Sequence, residues 1–464
     1  MQIGYIMKIT TGFLVAIIGL VAGLSVLGCW QSDEEIALRK FPYPYRAALS
    51  ICSDIDRTTS IEKFLEIQEF LNSDKVTAYG SGLGLDIGNS FWFYNQYYQK
   101  RMELPASDSL SGEEATFDPN LGISLFVGTS DSLWSHAGTM VSLIRSGHLD
   151  CLHSYGHFQE NGFSRELAIQ AIDLFESESL AVDVFINHGA EENQNNIGEA
   201  SWFLGDNPST DIYHADLTVS MGIKFLWRGH LSHCIGQDGC FSIVNLAKQG
   251  YEFIQDLMYT EQSYPHDNKL VHVCELDDGQ KVFEFVRYNN PWGKYSNANE
   301  EFFAHQLGPD QVDDLVEKQG YMIFYTHLGT NPHQPYLSPS TVDALRYIEE
   351  KHDRGELLVA TTSQLLNYYV NQKHLFWREE NRHGSLHIMI DSIANEVEGS
   401  YVPSHKDLAG ITFYVPEDCD VVLSVNGEPV PFVRNVKDQT GKESVSIPWR
   451  RLAFPDSETP LPQN

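Results

Sequence analysis

A chain of 464 residues with 42% apolar and 20% charged content exceeds one small domain and holds too much apolar surface to stay disordered. Acidic residues outnumber basic ones by 63 to 31, for a formal charge of -32. Such a surface repels phosphate backbones and excludes general nucleic-acid binding.

Residues 13–27 form an apolar run with Ser25 as its one polar member and Lys8 before it. The run is short for a membrane span and suits the apolar region of an export signal. It ends Val26-Leu27-Gly28-Cys29, which resembles a bacterial lipobox with Cys29 as the acylated residue. Residues 1–29 therefore read as a signal peptide with lipobox, or as an uncleaved membrane anchor, and 30–40 as a tether. Both readings export the bulk of the chain and hold it at a membrane in the cell envelope. Of the six later cysteines, Cys234 and Cys240 flank a flexible loop that a disulfide could close. Cys52 and Cys151 sit in apolar segments as candidate buried thiols.

From 41 to 372 short apolar runs alternate with amphipathic segments. Strands are expected at 47–52, 76–79, 123–127, 149–152, 181–186, 223–227, 321–325 and 357–360. Helices are expected at 60–71, 133–146, 164–176, 309–318 and 338–354. Seven or eight such units describe a β/α barrel better than an open sheet. Two stretches interrupt the alternation: an aromatic one at 91–120, and a hairpin-like excursion at 262–299 built on an Asp-Asp-Gly turn. Trp92, Phe93, Tyr94, Tyr97 and Tyr98 suit either a sugar-stacking platform or a packed lid. From 380 to 454 the pattern reads as a small antiparallel β domain, and 455–464 as a tail.

Three predicted strands end in candidate metal-site residues: Asp54 and Asp56 after the first, His153 and His157 after a middle one, and His327 after a late one. A parallel barrel opens all strand C-termini onto one face, so these residues converge. One carboxylate and two imidazoles suit a divalent metal with open positions, zinc best. Spacing alone is weak support in a chain with 18 His. A second pair, His383 and His387, falls in the expected β domain and is assigned to structure.

These segments resemble the polysaccharide deacetylases, the NodB-like carbohydrate esterases. Gly147-His148 followed by His153-Ser154-Tyr155-Gly156-His157 looks like their metal-binding segment. Ile51-Cys52-Ser53-Asp54-Ile55-Asp56 echoes their first motif, and Tyr321 to His327 their last apolar strand ending in His. Residues 357–369 resemble the barrel's final strand and helix. The resemblance spans about 45 to 370 and implies a distorted NodB-like barrel with insertions. It also implies metal-dependent removal of an acetyl group from a glycan. Carried onto this chain, it makes Asp54 the base, His327 the acid, and Asp56, His153 and His157 the metal ligands. An ungapped alignment exchanges the roles around Ile55. The family's Arg motif is missing after 182–186, where Asn187-His188 and an Asn-rich loop stand instead. His188, Asn193, Asn195 and Arg228 are the candidates for substrate contacts, and Arg228 for the missing charge. Two other readings remain: a divergent hydrolase of another amide, ester or glycosidic bond, and a non-catalytic glycan-binding barrel.

Overall fold

The computed structural model describes residues 36–96, 122–158, 162–189, 193–259, 264–290 and 298–455. The anchor segment 1–29, Tyr97 and Tyr98, and most of the tail lie outside the described residues. Eight strands set the frame: β1 (Ala47–Ser53), β2 (Asn89–Phe91), β3 (Leu149–His153), β4 (Val184–Ile186), β5 (Phe225–Trp227), β6 (Lys281–Phe285), β7 (Tyr321–Thr326) and β8 (Leu357–Val359). β1 reads AALSICS and is buried at all seven positions, as a strand covered on both faces must be. Along one edge it pairs in parallel with β7, from Ala48↔Tyr321 to Ser53↔Thr326. Along the other, β8 covers its start and β2 meets its end at Ser53↔Asn89. β3, β4 and β5 continue the parallel series.

The stretch expected to be a hairpin excursion belongs to this sheet. β6 pairs in parallel with β5, and the next residues, Arg287–Tyr288, pair in parallel with β7. One extended segment thus meets both ends of the strand series and curls the sheet on itself. Val271–Glu275 is the hairpin partner of β6 and lies outermost. The fold is a mixed α/β one with a curled, barrel-like sheet. Two expected strands do not join it. Val76–Thr77 makes a small exposed hairpin with Gly80–Ser81, and 123–127 contributes isolated bridges.

The longer helices are α1 (Ile61–Asn72), α2 (Ala137–Ser146), α3 (Arg165–Ser177), α4 (Ile243–Tyr259), α5 (Pro309–Lys318), α6 (Pro339–Asp353) and α7 (Thr362–Lys373). Their starts follow local chemistry. Ser60 and Ser338 side chains accept from the Lys63 and Thr341 amides. Thr361 and Gln364 cap one another's amides at the start of α7. α2 stops at Gly147, which takes φ 87°. α4 was not expected from the sequence, and its apolar side faces outward.

After α7, Leu375–Arg382 and Ser385–Asn395 form a long hairpin. Asp420–Val425 lies parallel to the latter, so this region is not purely antiparallel as expected. A further sheet joins Ala37–Leu38 to Thr412–Val415, Glu443–Ser446 and Val433–Asn435. Leu386, Ile388, Phe413 and Val445 share one buried cluster with Val184, Phe283, Leu358 and Tyr369, so these sheets pack directly on the barrel base. Cys52 and Cys151 are buried thiols, and Cys234 and Cys240 are free rather than bridged: 234 is buried while 240 is exposed. Among the described residues no helix is long and apolar enough to cross a membrane.

Candidate metal centre

Four strand ends deliver the site. β1 runs out at Ser53, and Asp54 is held there by its amide on the Thr326 carbonyl at 2.9 Å. Asp56 follows two residues on. β3 ends at His153. Ser154 then takes φ 48°, and Gly156–His157 goes on to pair in parallel with Tyr94–Asn95. Gly156 is required, since a Cβ there would lie 2.0 Å from the Tyr94 carbonyl oxygen. β4 leads into Asn187-His188, and β7 into His327.

The imidazoles gather around Asp56. His153 Nε2 lies 3.5 Å from Asp56 Oδ1, while His188 Nδ1 and His327 Nε2 lie 3.3 and 3.5 Å from Oδ2. His153 Nε2 and His188 Nδ1 are 2.7 Å apart. Single donor atoms from Asp56, His153 and His188 all fall within 4.8 Å of one another. Asp56 Oδ1 is buried yet accepts no hydrogen bond. A buried carboxylate oxygen left open beside two converging imidazole nitrogens is a donor set that fits a divalent cation. Burial opposes ionisation of Asp56, but His188 and then His153 outweigh it and hold the carboxyl well below the usual range. Burial and the neighbouring His188 push His157 down to about 4, so that it is neutral near pH 7.

This corrects the expected ligand set. His157 stands behind His188, with its Nδ1 2.7 Å from His188 Nε2, and is not one of the three clustered donors. His188, expected to touch substrate, takes that place. The reason lies in the loop after β4: the Ser154 hydroxyl and Asn196 Oδ1 both accept from the His188 amide, at 3.0 and 3.1 Å. Asn196 Nδ2 donates to the His188 carbonyl at 3.0 Å. Asn193 and Asn195 serve the same scaffold and are not available to sugar hydroxyls. Asn195 Oδ1 accepts from the Tyr155 amide and Asn193 Oδ1 from the Phe158 amide. Both side chains are buried.

Arg228 does not supply the missing charge to the acids either. Its guanidinium forks onto Glu284 at 2.9 and 2.6 Å and reaches Glu199 at 3.1 Å. Arg287, which no motif had singled out, takes that role. It grips Asp54 through two bonds of 3.1 and 2.8 Å, between the rings of Trp227 and Tyr325. Burial works to raise the Asp54 pKa, but Arg287 and then His153 overcome it and hold the carboxyl at about 2. Asp54 Oδ1 also faces His153 Nδ1 at 3.5 Å, so one carboxylate orients the ligand whose other nitrogen points at Asp56. The detectable signal was a lone Arg in the apolar run Val282 to Tyr288.

Among the described residues, the aromatic stretch 91–94 is not an exposed platform. Phe91, Trp92, Phe93 and Tyr94 are fully buried, and Trp92 sets its ring edge-on to His188 at 4.8 Å between centroids. The rings open to ligand come from elsewhere. A cavity of about 640 Å³ exposes Asp54, Asp56, His157, His188 and His327 together with Trp202, Trp227, Tyr264 and Tyr325. His214 is structural, bonded to Thr218 and to the Asn195 carbonyl.

No protein-family model matches the chain, and neither a curated protein nor a solved structure does.

Proposed function

We propose that the protein is an exported, metal-dependent hydrolase of the polysaccharide-deacetylase kind, removing acetyl groups from a glycan. The reading rests above all on one juxtaposition. The open Asp56 oxygen and two imidazoles stand beside a second carboxylate, Asp54, ionised near pH 7, on the floor of an aromatic-lined cavity. Zinc is the best-suited ion for one carboxylate and two imidazoles. When bound, such an ion polarises an acyl carbonyl and makes a water more acidic. Asp54 accepts the water's proton, and Arg287 fixes both of its oxygens for that purpose. His327, at the cavity wall, donates to the leaving amine. Trp202 lines the cavity with an apolar ring suited to a pyranose. The N-terminal segment tethers the enzyme to a membrane through Cys29 or an uncleaved anchor.

The test is acetate release from N-acetylated glucosamine oligomers, measured beside bound metal. Asp54→Asn is expected to abolish turnover while the protein keeps its ion. Undiminished activity in that variant removes the assignment.

A further inference from the structure

Helix α4 is built inside out. Its buried positions are polar: Asn245 Nδ2 donates to the Ile235 carbonyl at 2.8 Å, and the Glu252 carboxylate accepts from the His233 amide. Gln255 and Asp256 face the cavity. Its outward positions are apolar: Ile243, Leu246, Phe253, Ile254, Leu257 and Met258, with Leu257 77% and Ile243 69% exposed. The spacing i, i+3, i+10, i+14 runs this stripe along the whole helix, and Gly250 at its middle opens onto empty space. Water-facing helices carry the opposite arrangement, and a contiguous apolar stripe of this size marks a surface made to be covered.

What covers it is indicated by where the chain enters. The Lys40 ammonium donates to the carbonyls of Asp238 and of Gln319, and the Cys240 amide bonds the Lys318 carbonyl. The described chain therefore passes the entry to α4 within a few residues of its start at Ile36. Six residues lie between Cys29 and Ile36, a reach of at most about 25 Å, which equals the roughly 25 Å length of this helix of 17 residues. A chain held in a bilayer at Cys29 keeps this stripe within reach of the same bilayer. A charge of -32 on every copy also opposes pairing through this face.

We infer that α4 is an interfacial helix that lays its apolar stripe into the surface of a lipid bilayer, with the cavity behind it opening at headgroup level. This rests on the membrane-tether reading of residues 13–29. Because Glu252, Gln255 and Asp256 lie on the opposite face of the same helix, docking holds this wall of the cavity at the membrane surface, within reach of a membrane-attached glycan.

The test uses the full chain in phosphatidylcholine–phosphatidylethanolamine vesicles carrying a phospholipid with a photoreactive acyl chain. Labelled peptides are then mapped by mass. Label is expected at 241–258, falling at least five-fold in the Ile254→Ser/Leu257→Ser variant, whose circular dichroism should match the parent. Acylated Cys29 or label at 13–29, with none at 241–258, overturns the docking and leaves the tether standing. Label at 241–258 without acylation or label at the N-terminus supports the docking and removes the tether. Absence of both overturns both. A dimer in detergent that the double substitution dissolves assigns the stripe to a second copy and also overturns the inference.

Discussion

Arg287 and Asp54 stand 233 residues apart in the chain and meet fully buried, two guanidinium nitrogens on two carboxylate oxygens at 3.1 and 2.8 Å. Neither group is tolerable there without the other. The pairing determines both the orientation of Asp54 and its charge.

Replacing Arg287 with Met strands that carboxylate in an apolar shell. Its pKa is then expected to rise from about 2, since burial is opposed by His153 alone. The acidic limb of the pH–rate profile should move to higher pH with it. The depressed pKa contributes stability that is present above the unfolded value near 4 and lost as pH falls through about 2. The variant should therefore be destabilised by about 3–5 kcal/mol at pH 7 and less in acid, read by denaturant titration across pH. An unmoved acidic limb would show that Asp54 does not titrate in catalysis.

Two histidine variants separate the donor sets. His188→Ala should lose the ion, because it removes one of the three clustered donors. His157→Ala should weaken binding by about 10–100-fold, because its Nδ1 only orients His188 from behind. Metal titration followed by elemental analysis distinguishes them. Loss in His157→Ala with retention in His188→Ala restores the set expected from spacing.

The strand-end logic was legible in the residues themselves. Asp54, Asp56, His153 and His327 each follow an apolar run, and parallel pairing brings those ends together. The exchange of His157 for His188 was not legible. It depends on Ser154 at φ 48° and on the Asn196 side chain, a tertiary arrangement no local pattern encodes. Arg287 was hidden for a related reason: an Asp-Asp-Gly turn is equally a hairpin turn whether or not its second strand continues into a barrel. α4 carries a full amphipathic period, but which of its faces meets water was not legible, because the pattern is the same for either orientation.

Asn196 should prove a structural keystone of the site. Its Oδ1 accepts from the Ser154 hydroxyl, the His188 amide and the Asn193 amide group, at 2.6, 3.1 and 3.1 Å. Asn196→Ala leaves the Ser154 hydroxyl and the Asn193 amide group short of an acceptor, at about 1–3 kcal/mol each before relaxation, and the His188 amide with Ser154 alone. A loss of at least 2 kcal/mol in unfolding free energy is expected, with metal affinity falling alongside. Stability within about 0.5 kcal/mol of the parent would mean the loop is held by other bonds.

A last prediction concerns Asp150, at the opposite end of β3 from His153. It is buried, accepts from the Ser363 amide at 2.8 Å, and leaves Oδ1 without a hydrogen bond. Burial, with the nearby Asp183 adding to it, raises its pKa from 3.8 to about 7. A raised pKa contributes stability that is complete below the unfolded value and lost as pH climbs through about 7. Ionising the group in place then costs up to roughly 4 kcal/mol above that pH. Asp150→Asn keeps an acceptor for Ser363 and removes the titration. Its Tm should exceed the parent's at pH 8.5 and match it only at a pH below the unfolded value of 3.8. A gain of equal size at both pH values would show that packing against Gly88, whose added Cβ would lie 2.2 Å from Asp150 Oδ1, governs this position rather than charge.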